Sequence, residues 1–215
     1  MSTILLRLLL PPLCALLTIF PSVDAREELP LMDPIPEPIG WGDLALHLEH
    51  WLTVPATDAK APLARINCMK PAPDGSGRLF LNDLIGPMYS IINDKITAYL
   101  DLRSHLPAFY NERGLAGGFN FFEFHPEFEK NGLFYTIHTE EPQQKEPDFI
   151  GPHHKDARGI DCIILEWRAQ DPAAPVFKGN FREIMRVRFP THIHFVQDMV
   201  FNPNTTPGDE DYGLL

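Results

Sequence analysis

Four short apolar runs, each closed by turn-forming residues, occupy positions 65–100 and limit what this chain can fold into more than any other feature. The runs are 65–69, 78–81, 88–92 and 96–100, divided by Pro71-Ala72-Pro73-Asp74-Gly75-Ser76-Gly77, by Gly86-Pro87 and by Asn93-Asp94. Pro, Gly, Asn and Asp at these intervals suit tight reversals of direction, so the stretch predicts an antiparallel meander. The same plan returns with longer connections at Phe119–Phe124, 133–139, 161–167 and 183–189, and a third copy opens at 198–202. In each copy an apolar strand is followed by Pro, acidic or amide residues and Gly, and then by a second strand rich in Leu, Phe or Tyr. Pro73-Asp74-Gly75-Ser76-Gly77-Arg78-Leu79-Phe80 and Pro126-Glu127-Phe128-Glu129-Lys130-Asn131-Gly132-Leu133-Phe134-Tyr135 show the template, and Pro203 to Leu215 repeats it.

Three recurrences of a four-strand unit point to an all-β chain, built as the blades of a β-propeller. A pair of unrelated meanders in a sandwich is the alternative. A blade takes roughly 40 to 50 residues and a ring roughly four to eight blades. The expectation is therefore an amino-terminal part of about two and a half blades, with Leu215 falling where the next strand begins. The content of 22 Pro and 15 Phe agrees with many turns around aromatic packing. Phe119, Phe121, Phe122, Phe124 and Phe128 are read as blade core.

Ahead of the repeats, residues 1–25 read as a secretory signal. Arg7 precedes an apolar run through Leu8, Leu9, Leu10, Leu13, Leu16, Leu17, Ile19 and Phe20, and Val23-Asp24-Ala25 supplies small residues for cleavage after Ala25. This predicts a secreted or periplasmic protein with no stable membrane span after cleavage; an uncleaved anchor is the alternative. Residues 26–60 form a Pro-rich lead with one alternating strand, Leu44-Ala45-Leu46-His47-Leu48-Glu49, and 61–215 carry the blades. Lys and Arg number 18 against 29 Asp and Glu, a net charge of -11, which argues against a nucleic-acid partner. Cys14 falls in the signal, whereas Cys68 and Cys162 sit in apolar runs and are read as core thiols in preference to a pair.

At Gly118-Phe119-Asn120-Phe121-Phe122-Glu123-Phe124-His125-Pro126-Glu127-Phe128, and again at Pro73 to Phe80, the chain resembles the glucose/sorbosone dehydrogenase family. Phe134-Tyr135-Thr136, Leu165-Glu166-Trp167 and the stretch from His194 to Pro203 extend the resemblance over most of 61–215. It implies a six-bladed propeller that uses pyrroloquinoline quinone and Ca²⁺, a small sugar as substrate and an external electron acceptor. In Thr191-His192-Ile193-His194-Phe195-Val196-Gln197-Asp198 it also implies that His194, four residues before Asp198, is the general base for the sugar hydroxyl. Ile193, Phe195 and Val196 depart from the smaller or polar residues usual there and would narrow a cofactor site.

The other candidates have plainer readings. His192 and His194 would share one face of a strand as a metal pair does, but the next close pair is His153-His154, so no metal site is assigned. His125 and His138 are read as structural, and Asp209-Glu210-Asp211 as a solvated loop tip. Asn204-Thr205-Thr206 matches a glycosylation sequon. Two functions follow as expectations. One is an exported quinone-dependent sugar dehydrogenase, inactive as this stretch alone; the other is a non-catalytic propeller that binds a protein or carbohydrate partner.

Overall fold

Asn93 and Asp94 both adopt left-handed backbone angles, φ 47° and 59°, and turn β3 (Pro87–Ile92) directly into β4 (Lys95–Asp101). Short polar side chains tolerate that conformation, and such a two-residue turn matches the twist of the strands it joins. Gly75 and Gly77, φ 67° and 72°, shape the reversal between β1 (Ile66–Pro71) and β2 (Leu79–Asp83). The first sheet is the four-stranded antiparallel meander β1-β2-β3-β4. Its strands lie within two or three residues of the sequence expectation.

The computed structural model describes residues 40, 42–111, 117–142, 145–151, 159–190 and 195–215. The chain divides into two compact units, 1–48 and 49–215. In the first, the described stretch corrects an expectation: 44–48 forms no strand, and Leu44, Leu46 and Leu48 are 88%, 87% and 91% exposed. Alternation makes a strand only where a neighbouring strand completes the ladder, and among the described residues this stretch joins neither sheet.

The second sheet contains β5 (Phe119–Phe124), β6 (Leu133–Glu140), β7 (Phe149–Ile150), β8 (Ile160–Ala169) and β9 (Gly179–Phe189), in the order β5-β6-β8-β9-β7. All neighbours are antiparallel except the two-residue β7, which runs parallel to β9 and was not legible in the sequence. Between β5 and β6 the chain makes one helical turn, α1 (Phe128–Asn131), ended by Gly132 at φ 68°. A Cβ on Gly132 would lie 2.3 Å from the Ala169 carbonyl oxygen, so only glycine lets this turn close against β8.

The two sheets meet face to face. Phe80, Met88, Tyr99 and Leu100 of the first interlock with Phe122, Phe124, Phe134, Leu165 and Trp167 of the second. Phe80 stands edge-on to Tyr99 at 4.9 Å, Phe134 stacks on Trp167 at 6.0 Å, and the Trp167 indole donates to Thr136 Oγ1 at 2.8 Å. Burial of each such side chain contributes about 1.5–3 kcal/mol. Polar fastenings register the seam: Asn82 donates to the Phe119 carbonyl and Asn67 to the Asn120 carbonyl, while Lys70 pairs with Glu123. Arg78, paired with Asp74, reaches across to the carbonyls of Pro172 and Ala174 in the β8–β9 connection.

Each sheet has its outer face covered by irregular chain. Leu52 and Val54 lie against Leu81, Tyr89 and Ile91 of the first sheet. Phe195, Val196 and Met199 lie against Phe121, Ile137, Ile160 and Cys162 of the second. The strand expected over 198–202 is absent, which corrects the third copy. Asn202 instead closes a turn, accepting from Asn204 N through its side chain and from Thr205 Oγ1 through its carbonyl. Cys68 and Cys162 are unpaired, in line with the sequence reading that preferred core thiols; Cys162 is buried and Cys68 half-buried. The chain is thus nearly all β, with open antiparallel sheets and no closed barrel. No described helix is long and apolar enough to cross a membrane.

Candidate functional site

His194, the sequence-based candidate for the general base, lies outside the described residues, as do His192, Ile193 and the pair His153-His154. The described chain resumes at Phe195, which is buried and meets the Phe189 ring edge-on at 5.7 Å. Its bulk therefore fills the outer core of the second sheet. Val196 contributes a backbone hydrogen bond to the Cys162 thiol, and burial pushes that thiol up to about 12.

The densest group of ionisable side chains lies where β6 ends, β8 begins and β9 ends. Register dictates it: Glu140 sits opposite Asp161, and Asp161 opposite Arg188. Two carboxylates facing each other on adjacent strands repel unless a cation lies between them. Arg186 supplies it, donating from Nη1 to Asp161 at 3.0 Å and from Nη2 to Glu140 and Glu183, each at 2.9 Å. Arg188 adds two bonds to Asp161, at 2.7 and 3.0 Å, and Lys145 pairs with Glu183 at 2.8 Å. The backbone N–H of Arg186 donates to Asp148 at 2.8 Å, which ties the β7 segment to the same group. Arg186, Arg188 and Lys145 thus pair with Glu140, Asp161 and Glu183, while Asp148 adds a fourth carboxylate held by a backbone N–H.

His138 completes the group. It is fully buried, with Nε2 3.2 Å from Glu140 Oε1 and its ring stacked on Phe109 at 6.1 Å. Nε2 therefore carries the proton that Glu140 accepts, and Nδ1 has no partner among the described residues. Burial holds His138 below its ordinary value, with Glu140 working the other way. Burial alone would raise Glu140, but hydrogen bonds from His138 and Arg186 outweigh it and leave the carboxyl below its ordinary range. Burial opposes the charge on Arg186 too, yet its three carboxylate partners hold the proton more firmly than usual.

A histidine backed by a carboxylate is the dyad that general-base chemistry uses. Here it is sealed beneath Phe109, and both members lie on β6, so His138 braces Glu140 for its bond to Arg186 of β9, in line with the structural reading of His138. His125 is likewise structural: its Nδ1 accepts from Glu127 N at 3.0 Å and from Asn131 Nδ2 at 2.9 Å, fixing α1. Phe119, Phe122, Phe124 and Phe128 lie in the core between the sheets, and Phe121 in the outer one. Asp209 accepts from Thr206 and Asp211 from Asn202 on an exposed tip, in agreement with the solvated reading. The Arg186 group was missed in the sequence. Its signal was present in Glu140, Asp161, Arg186 and Arg188 at the ends of otherwise apolar strands.

A polyanionic quinone needs cations available to its carboxylates, and Ca²⁺ needs several convergent oxygens. The described residues do not fit. Arg186, Arg188 and Lys145 are held by internal carboxylates, as are Arg182 by Glu166, Arg103 by Asp101 and Lys70 by Glu123. Among the described residues no three His, Cys, Asp or Glu are disposed around a common metal position. Comparison with protein-family models finds no match, and comparison with curated proteins finds none.

Proposed function

We propose that this chain belongs to an exported propeller of the sugar-dehydrogenase type, in which His194 takes the proton from a sugar hydroxyl. Pyrroloquinoline quinone with Ca²⁺ is the cofactor, and an external electron acceptor the partner, that the family resemblance implies for such a reaction. The observation that carries the reading is the contact between the first strands of the two sheets. β1 and β5 lie side by side, joined by Asn67 to the Asn120 carbonyl and by Lys70 to Glu123, as inner strands of neighbouring blades must. The family resemblance of Gly118 to Phe128, which includes β5, supports it further.

The second reading is a non-catalytic propeller that binds a protein or carbohydrate. It is favoured by the internal neutralisation of Arg186 and Arg188, which leaves that group without a cradle for the quinone's carboxylates. One experiment separates the two. The protein secreted by its own host is incubated with pyrroloquinoline quinone and Ca²⁺, and aldose-dependent dye reduction is followed. Turnover that falls at least about a hundredfold in His194→Ala, within the range removed with a general base, supports the enzyme. Full turnover in that variant removes His194 from catalysis, and a lack of both quinone binding and turnover supports the binder.

A further inference from the structure

A groove of about 540 Å³ lies beside β4, bounded by the 3₁₀ turn Leu102–Ser104 and by Val176 and Phe177 from the β8–β9 connection. His105 stands at its mouth, exposed to solvent. Its ring is held edge-on by three aromatic neighbours: Trp167 at 5.6 Å, Phe177 at 6.0 Å and Phe181 at 6.3 Å. An exposed imidazole fixed on such a bed loses little further freedom when it binds something. Neither ring nitrogen has a hydrogen-bond partner among the described residues.

Beside it, Asp101 accepts from Arg103 Nε at 2.9 Å, from Nη2 at 2.6 Å and from the Arg103 backbone N–H at 3.1 Å. This fork holds the guanidinium in one plane, and Nη1 is left without a partner among the described residues. Gly86 makes room for it, since a Cβ there would meet Arg103 Cγ at 2.9 Å and Asp101 Oδ1 at 3.0 Å. The groove is therefore polar but close to neutral, because Asp101 and Arg103 cancel. Ala98 and Val176 supply small apolar surface next to these groups.

Paired charges favour neither an anion nor a cation, while planar donors and an imidazole beside apolar surface suit a ring that carries both hydroxyls and C–H faces. We propose that this groove binds a neutral saccharide, with Arg103 Nη1 and the His105 ring making the hydrogen bonds. The proposal does not depend on the dehydrogenase reading.

The test uses the full chain labelled with ¹⁵N. The His105 imidazole resonances are followed by NMR while glucose, maltose or cellobiose is added, with glucose 1-phosphate as a charged comparison. The expected result is a saturable shift with at least one neutral sugar, weakened about tenfold or more in Arg103→Ala, the loss typical of one hydrogen bond from a charged donor. His105→Ala is followed through the Arg103 resonances and should weaken binding similarly. Both residues are exposed, so an unchanged thermal midpoint confirms that the variants fold. No saturable shift with any neutral sugar, binding that survives both substitutions, or preference for the phosphate would overturn the proposal.

Discussion

The seam between the sheets and the charged end of the second sheet are equally buried and stabilised in opposite ways. At the seam, Trp167, Phe134, Phe80 and Tyr99 gain by leaving water, and only a few polar groups had to be satisfied. At the charged end, Arg186, Asp161 and Glu140 gave up hydration and regain stability only through one another. The aromatic packing of the seam is therefore sensitive to volume and carries no charge for pH to change near neutrality. The charged end is indifferent to small changes of volume and sensitive to the loss of any one charge.

Substitutions that unbalance each region should expose this difference. The largest effect is expected from Trp167→Ala, which opens a cavity at the seam and costs about 3–5 kcal/mol. Urea unfolding should show a large drop in midpoint with the same loss at pH 5 and pH 8. Arg186→Met should cost about 3 kcal/mol near neutral pH by leaving Asp161 and Glu140 facing each other. Its loss should shrink in acid as those carboxylates protonate, and a pH-independent loss would mean that the group acts by packing. Asn82→Ala should cost about 2 kcal/mol, because Asn82 donates to the Phe119 carbonyl and accepts from Cys68 N, and both groups are then left unsatisfied. Hydrogen exchange at Cys68 should accelerate more than at Trp167.

Acid should weaken the charged end gradually. His138 is held below its ordinary 6.5, so the unfolded chain takes up the proton first. The stability this contributes is complete above 6.5 and is lost as pH falls from there toward the folded value. Glu140, held below 4.5, acts in the same direction at lower pH. A thermal-midpoint profile should therefore slope downward between pH 7 and 5, and His138→Gln should flatten it. The smallest effect concerns the thiols: a disulfide reagent should reach half-buried Cys68 in the native protein, and Cys162, raised to about 12 by burial, only on unfolding.

How far each region was legible in the sequence follows the same division. Phe119–Phe124 was placed residue for residue, because alternating Phe and the turn after it are local signals. The Asn93-Asp94 turn and the Gly132 stop were legible for the same reason. The Arg186 group was not, since Glu140 and Arg186 are 46 residues apart and meet only through the register of β6, β8 and β9. His105 was passed over entirely, because an isolated histidine after a strand carries no pattern until Trp167, Phe177 and Phe181 gather around it. The runs at 44–49 and 198–202 show the converse error: the first alternates, the second holds an apolar run before Pro203, and neither forms a strand.

By itself the sequence determined the all-β character, eight of the nine strands among the described residues and the reversals between them, since apolar spacing and turn angles act over a few neighbouring residues. Tertiary structure alone decided which faces meet, which carboxylates share Arg186, and that Leu52, Val54, Phe195 and Met199 cover the outer faces without pairing as strands. Those outcomes depend on contacts between distant parts of the chain. A strand is completed by the neighbour that accepts its hydrogen bonds, and a buried charge by the partner brought to it.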